Sequence, residues 1–122
     1  MNDSELIDWE QLEMIFGEDE DEFDEEMGEL FHEFVADGNA RIVGIKAMTF
    51  DSDKDEIARE SHKLKGSSSN FGFARVASSL ANIENNIESI SADEYLASLS
   101  QAEKDFNTSI EEVIGKFPGL RN

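Results

Sequence analysis

The chain has one proline in 122 residues, Pro118, close to the end. Proline fixes φ and lacks a backbone N–H, so it breaks helices and sheet ladders. A chain almost free of it can be helical nearly throughout. The apolar residues agree: they recur at three- and four-residue steps, and no segment alternates as a strand does.

Five helices are predicted. Asp8 caps a short first helix through Phe16, with Trp9, Leu12 and Ile15 or Phe16 inward; Gly17 ends it. The acidic run from Glu18 to Glu22 reads as a solvated turn whose charge suits the start of the next helix. That second helix is expected from about Asp21 to Ala47, on a stripe of Phe23, Met27, Leu30, Phe34, Ile42 and Ile45, widened by Phe31 and Val35. Gly38 weakens its middle by about 1 kcal/mol relative to Ala. Ser52 or Asp53 caps a third helix reaching about Phe71, and Gly72 interrupts. The fourth runs from about Phe73 to Ile90. Ser91 or Asp93 caps the fifth, with Tyr95 or Leu96, Leu99, Ala102, Phe106, Ile110, Val113 and Phe117 inward, and Pro118-Gly119 stops it.

Short connections between long amphipathic helices make neighbours antiparallel. The predicted fold is all-α: an up-down-up-down four-helix bundle over about 21–117, with the short first helix covering one end. Residues 1–122 read as a single domain.

Composition narrows the function. Ten basic and 29 acidic residues give a net charge of −19. Nucleic-acid binding runs on Lys and Arg neutralising phosphates, so no nucleic-acid partner is expected. An anionic membrane surface is disfavoured for the same reason. No apolar run reaches membrane-spanning length. The start, Met1 to Glu5, is acidic and lacks the apolar core of a signal peptide, so a cytoplasmic location is expected. There is no cysteine, hence no thiolate chemistry or Cys-based metal site.

The third helix is where the sequence becomes specific. Advancing about 100° per residue from His62, Ile57, Leu64 and Phe71 fall between roughly 180° and 220° and form the core face. Lys65, Gly66 and Ser69 fall within roughly 60° of His62. The histidine is thus predicted to face solvent. Neutral imidazole is a good nucleophile near its unperturbed pKa of about 6.5. Lys65 can stabilise the charge of a phosphoryl group. Gly66 clears space for a partner to approach, at a helix cost of roughly 0.5–1 kcal/mol against Ala.

The run His62-Lys63-Leu64-Lys65-Gly66-Ser67-Ser68 resembles the signature of histidine-containing phosphotransfer (HPt) domains. In that signature Lys stands three residues, Gly four residues and small residues further after the phosphorylated His. The likeness continues through Asn70-Phe71-Gly72-Phe73, Arg75-Val76-Ala77 and Leu80-Ala81-Asn82-Ile83-Glu84. It implies that His62 accepts phosphate through Nε2 from an aspartyl phosphate on a receiver domain and returns it to another receiver. It also implies a polar residue at Glu84, which could accept a hydrogen bond from Nδ1–H and fix the tautomer. Arg59, Arg75 and Ser69 are candidate partner or phosphate contacts. No cofactor is expected; any divalent metal should sit on the receiver. A monomer is expected.

Two other readings compete with this one. Glu29-Leu30-Phe31-His32 supplies one Glu-x-x-His of a di-iron bundle, but the second copy is absent, since Arg59 stands three residues before His62. A non-catalytic acidic helical adaptor would not need His62, Lys65 and Gly66 together. No nucleotide-binding segment or phosphate loop is present, so kinase activity is not expected.

Overall fold

A computed structural model describes residues 5–18 and 23–121. It is all-α, with no strand among those residues: α1 (Trp9–Phe16), α2 (Glu25–Ala47), α3 (Lys54–Asn70), α4 (Ala74–Asn86), α5 (Ala92–Lys116) and a 3₁₀ turn (Pro118–Arg121). The acidic run at 19–22 and the expected start of α2 at Asp21 lie outside the described residues.

The ends follow local chemistry. Asp8 and Asp24 cap α1 and α2 through their carboxylates, which accept from Gln11 N–H and Met27 N–H. Ser91 caps α5 in a reciprocal box with Glu94. Asp53 stands at the N-cap of α3 without capping it; its carboxylate accepts from Thr49 N–H at 2.8 Å and closes the preceding turn. α4 stops at Asn86, four residues before the expected Ile90, because Ser89 and Ile90 both donate to Asn86 O and wind the chain into a turn. Gly72 adopts φ +72° after α3, where a Cβ would come within 2.8 Å of Asp8 O. Beyond Pro118 the chain does not leave the bundle: the 3₁₀ turn folds back and buries Leu120.

The core has two parts. One gathers Leu12, Phe16, Phe31, Phe34, Phe73, Phe106 and their neighbours, with Phe34 stacked on Phe71 at 4.9 Å. The other joins Ile45, Ile57, Ile83, Ile87, Tyr95 and Leu99. Gly38 has a packing reason, since a Cβ there would overlap the Phe106 ring. Arg41, steadied by Asp37 on its own helix at 2.7 Å, pins α2 to α3 with a 2.7 Å bond to Glu60.

Two inward assignments change. Trp9 and Leu30 are exposed, and Phe31 rather than Leu30 is fully buried. The buried line of α2 keeps Phe34, Ile42 and Ile45 of the expected stripe and passes through Phe31 and Gly38 in place of Leu30. On α5 the choice falls on Tyr95; Leu96 is exposed.

Candidate functional site

α3 turns Ile57, Ser61, Leu64 and Ser68 inward. The opposite side therefore carries His62, whose side chain is 63% exposed. Gly66 and Ser69 are exposed beside it. A Cβ added at Gly66 would meet nothing within 4 Å, so no internal contact requires the glycine. This differs in kind from Gly38, where the core leaves no room.

α4 lies against α3 and brings Glu84 to the histidine. Glu84 Oε2 is 2.8 Å from His62 Nδ1, and Glu84 Oε1 is 2.9 Å from Lys65 Nζ. One carboxylate thus holds two neighbours with two oxygens. The hydrogen bond from Lys65 is the main reason the Glu84 carboxyl sits below its ordinary pKa; the lysine charge and the hydrogen bond with His62 add to it, against an opposing effect of burial. An ionised Glu84 accepts only, so Nδ1 is the protonated nitrogen when the ring is neutral. The lone pair is then on Nε2, on the open side of the ring.

Lys65 lies on the His62 side of α3, as the helical wheel predicts, and is paired there. Its side chain is 30% exposed and engaged by Glu84. Arg59 stands one turn before His62 and pairs with Glu56 at 2.9 Å. Arg75 does not reach His62. It lies 3.8 Å from Asp105 on α5, and nine residues of α4, about 13 Å of helix, separate it from Glu84. His32 is exposed on α2. Among the described residues no group of three or more His, Asp or Glu is placed to hold a metal ion. Likewise, none of the described helices is long and apolar enough to cross a membrane.

An open groove lies between α1, α2 and the C-terminal part of α3. Ile15, Met27, Leu30 and Phe71 line it, with Ser67 and Asn70 on the α3 side. Sequence periodicity missed this groove because it assigned Leu30 to the core.

A profile of the Hpt domain family matches residues 22–114. The chain belongs to the Hpt domain family. Members of that family act by histidine phosphotransfer in phosphorelays, together with receiver domains. The match takes in α2 to most of α5, and so His62, Lys65, Gly66 and Glu84; α1 lies before it. No curated protein and no solved structure matches the chain.

Proposed function

We propose that this Hpt domain is a phosphorelay intermediate that accepts a phosphoryl group on His62 from a receiver-domain aspartyl phosphate and passes it to another receiver. The supporting observation is the pairing of His62 Nδ1 with Glu84 at 2.8 Å on a ring that is 63% exposed. It makes Nε2 the nucleophile and leaves it open to a partner.

The transfer is an in-line displacement at phosphorus. The Nε2 lone pair forms the N–P bond as the acyl-phosphate P–O bond breaks, and the electron pair stays on the receiver's carboxylate. Nδ1 keeps its proton against Glu84. Lys65 supplies a cation near the developing charge. Gly66 clears the approach, and the groove of Ile15, Met27 and Leu30 offers an apolar seat for the receiver. The domain works as a cytoplasmic monomer and holds no cofactor of its own; the divalent metal belongs to the receiver.

Incubation with a phosphorylated receiver tests this. Acid-labile, base-stable label should appear on the wild type and be absent from His62→Gln, with the helical spectrum intact. Label persisting on the variant would move the site to His32. No label on the wild type would leave a receiver-binding adaptor.

A further inference from the structure

The Glu84 carboxylate is divided between a ring that changes charge during transfer and a lysine one turn away. Oε2 takes His62 Nδ1 at 2.8 Å and Oε1 takes Lys65 Nζ at 2.9 Å. Residues three apart on a helix are neighbours, so Lys65 stands beside the imidazole as well as beside Glu84. Gly66, the next residue, adds no side chain to that space. Arg59, Lys63 and Lys65 stand near His62 along α3, and Glu84 reaches it from α4. Arg59 is engaged by Glu56, and Lys63 lies 3.7 Å from Glu60.

Forming the N–P bond at Nε2 while Nδ1 keeps its proton creates two new charges here. The ring becomes cationic, and a dianionic phosphoryl group hangs from it. Each partner of the Lys65–Glu84 pair then has a better match. The ammonium faces a group of twice the carboxylate's charge, and the carboxylate faces a cationic N–H donor.

We propose that phosphorylation hands Lys65 from Glu84 to the phosphoryl group, and that the carboxylate so released holds the Nδ1 proton on the phosphorylated ring. The inference rests on the reading of His62 as the phosphoryl carrier. Its consequence is directional. A phosphoimidazole protonated at the distal nitrogen leaves as neutral imidazole, whereas the unprotonated form must leave as an anion. Glu84 therefore keeps the loaded carrier ready to release its phosphoryl group to an incoming aspartate. In the unloaded protein the same carboxylate is partly neutralised by Lys65.

Phosphoramidate, a small-molecule donor that loads histidine with loss of ammonia, tests this without any receiver. Mass spectrometry locates the phosphate on isotopically labelled protein. NMR then reads two quantities: the coupling across the hydrogen bond from Lys65 Nζ to the Glu84 carboxyl carbon, assigned with Lys65→Gln, and the ³¹P titration of the phosphohistidine. The coupling should be present before loading and lost after it. The Nδ1 midpoint of the loaded ring should fall by about one pH unit in Glu84→Gln, as expected when a neighbouring carboxylate is removed. Phosphate on His62 with the coupling retained, or with the same midpoint in both proteins, overturns the handover and leaves phosphotransfer standing. Phosphate absent from His62 overturns both.

Discussion

Glu84 reaches His62 across the α3–α4 interface, 22 positions along the chain, and its Oε2 lies 2.8 Å from the imidazole Nδ1. The same carboxylate holds Lys65 by its other oxygen at 2.9 Å. Both side chains of that second pair are less than a third exposed. The pairing therefore links the reactive ring to the packing of two helices.

The pairing gives a pH dependence of defined sign. Glu84 has its folded pKa depressed, chiefly by the Lys65 hydrogen bond. Its contribution to stability is present above the unfolded carboxylate value of about 4.3 and is lost as pH falls through the lower folded value. The melting temperature of the wild type should exceed that of Glu84→Gln near neutrality, by the equivalent of about 1 kcal/mol or less for a pair this close to the surface. The gap should close on acidification. Thermal melts of both proteins between neutral and strongly acid pH check it; a gap that widens in acid contradicts the assignment of the shift to Lys65.

Removing the lysine separates chemistry from folding. Hydrogen bonds to charged groups are worth about 1.5–3 kcal/mol. Lys65→Ala should slow transfer from a phosphorylated receiver roughly tenfold or more. The bundle should stay folded, because the helix keeps its buried Ile57 and Leu64. Unchanged rate and receiver affinity would reduce Lys65 to a cross-link between α3 and α4.

Two glycines should respond in opposite ways to the same methyl group. At Gly66 there is open space, and Ala is the better helix former by about 0.8–1.0 kcal/mol, so the Gly66→Ala melting temperature should hold or rise. Its transfer rate should fall, because a misplacement of about 1 Å at the reacting atoms can cost on the order of a hundredfold. Gly66→Gln should obstruct further. At Gly38 the added Cβ meets the buried Phe106 ring, and overpacking of this kind costs about 1–3 kcal/mol. Measuring melting and transfer on both variants checks the contrast. If Gly66→Ala loses transfer only in step with stability, the access argument fails.

The groove between α1, α2 and α3 is tested at Leu30, which is 47% exposed. Leu30→Gln should leave the melting temperature within about 0.5 kcal/mol of wild type, as for an ordinary surface change. It should weaken receiver binding while phosphoramidate loading of His62 stays at the wild-type rate. Titration calorimetry with the receiver and small-molecule loading kinetics read the two effects separately; equal affinity for variant and wild type would remove the groove from the docking surface.

The sequence by itself determined the all-α class, the order of the helices and the side of α3 on which His62 stands. These are local properties: a 3.6-residue period, caps such as Asp8 and Ser91, and breaks such as Gly72 act within a few residues. The His62-Lys65-Gly66 constellation was legible for the same reason, since one helix carries it. Where an apolar stripe is wide, the period alone does not choose its centre. Leu30 and Phe31 both fit α2, and only the ring-packed core around Phe16, Phe34, Phe71 and Phe73 took Phe31 and left Leu30 outside.

The tertiary structure alone decided what the long-range charges do. The family resemblance pointed to Glu84 as the partner of His62, but nothing local says that Lys65 bonds to the same carboxylate. Nor does local pattern send Arg75 to Asp105 on α5 rather than to the histidine. Those pairings depend on the angular and axial register of α3, α4 and α5. Packing of Leu64, Val76, Leu80 and Phe106 in the shared core fixes that register. A side chain's partner across an interface is set by the buried face on the other side of its helix, and one strand of sequence does not contain that distance.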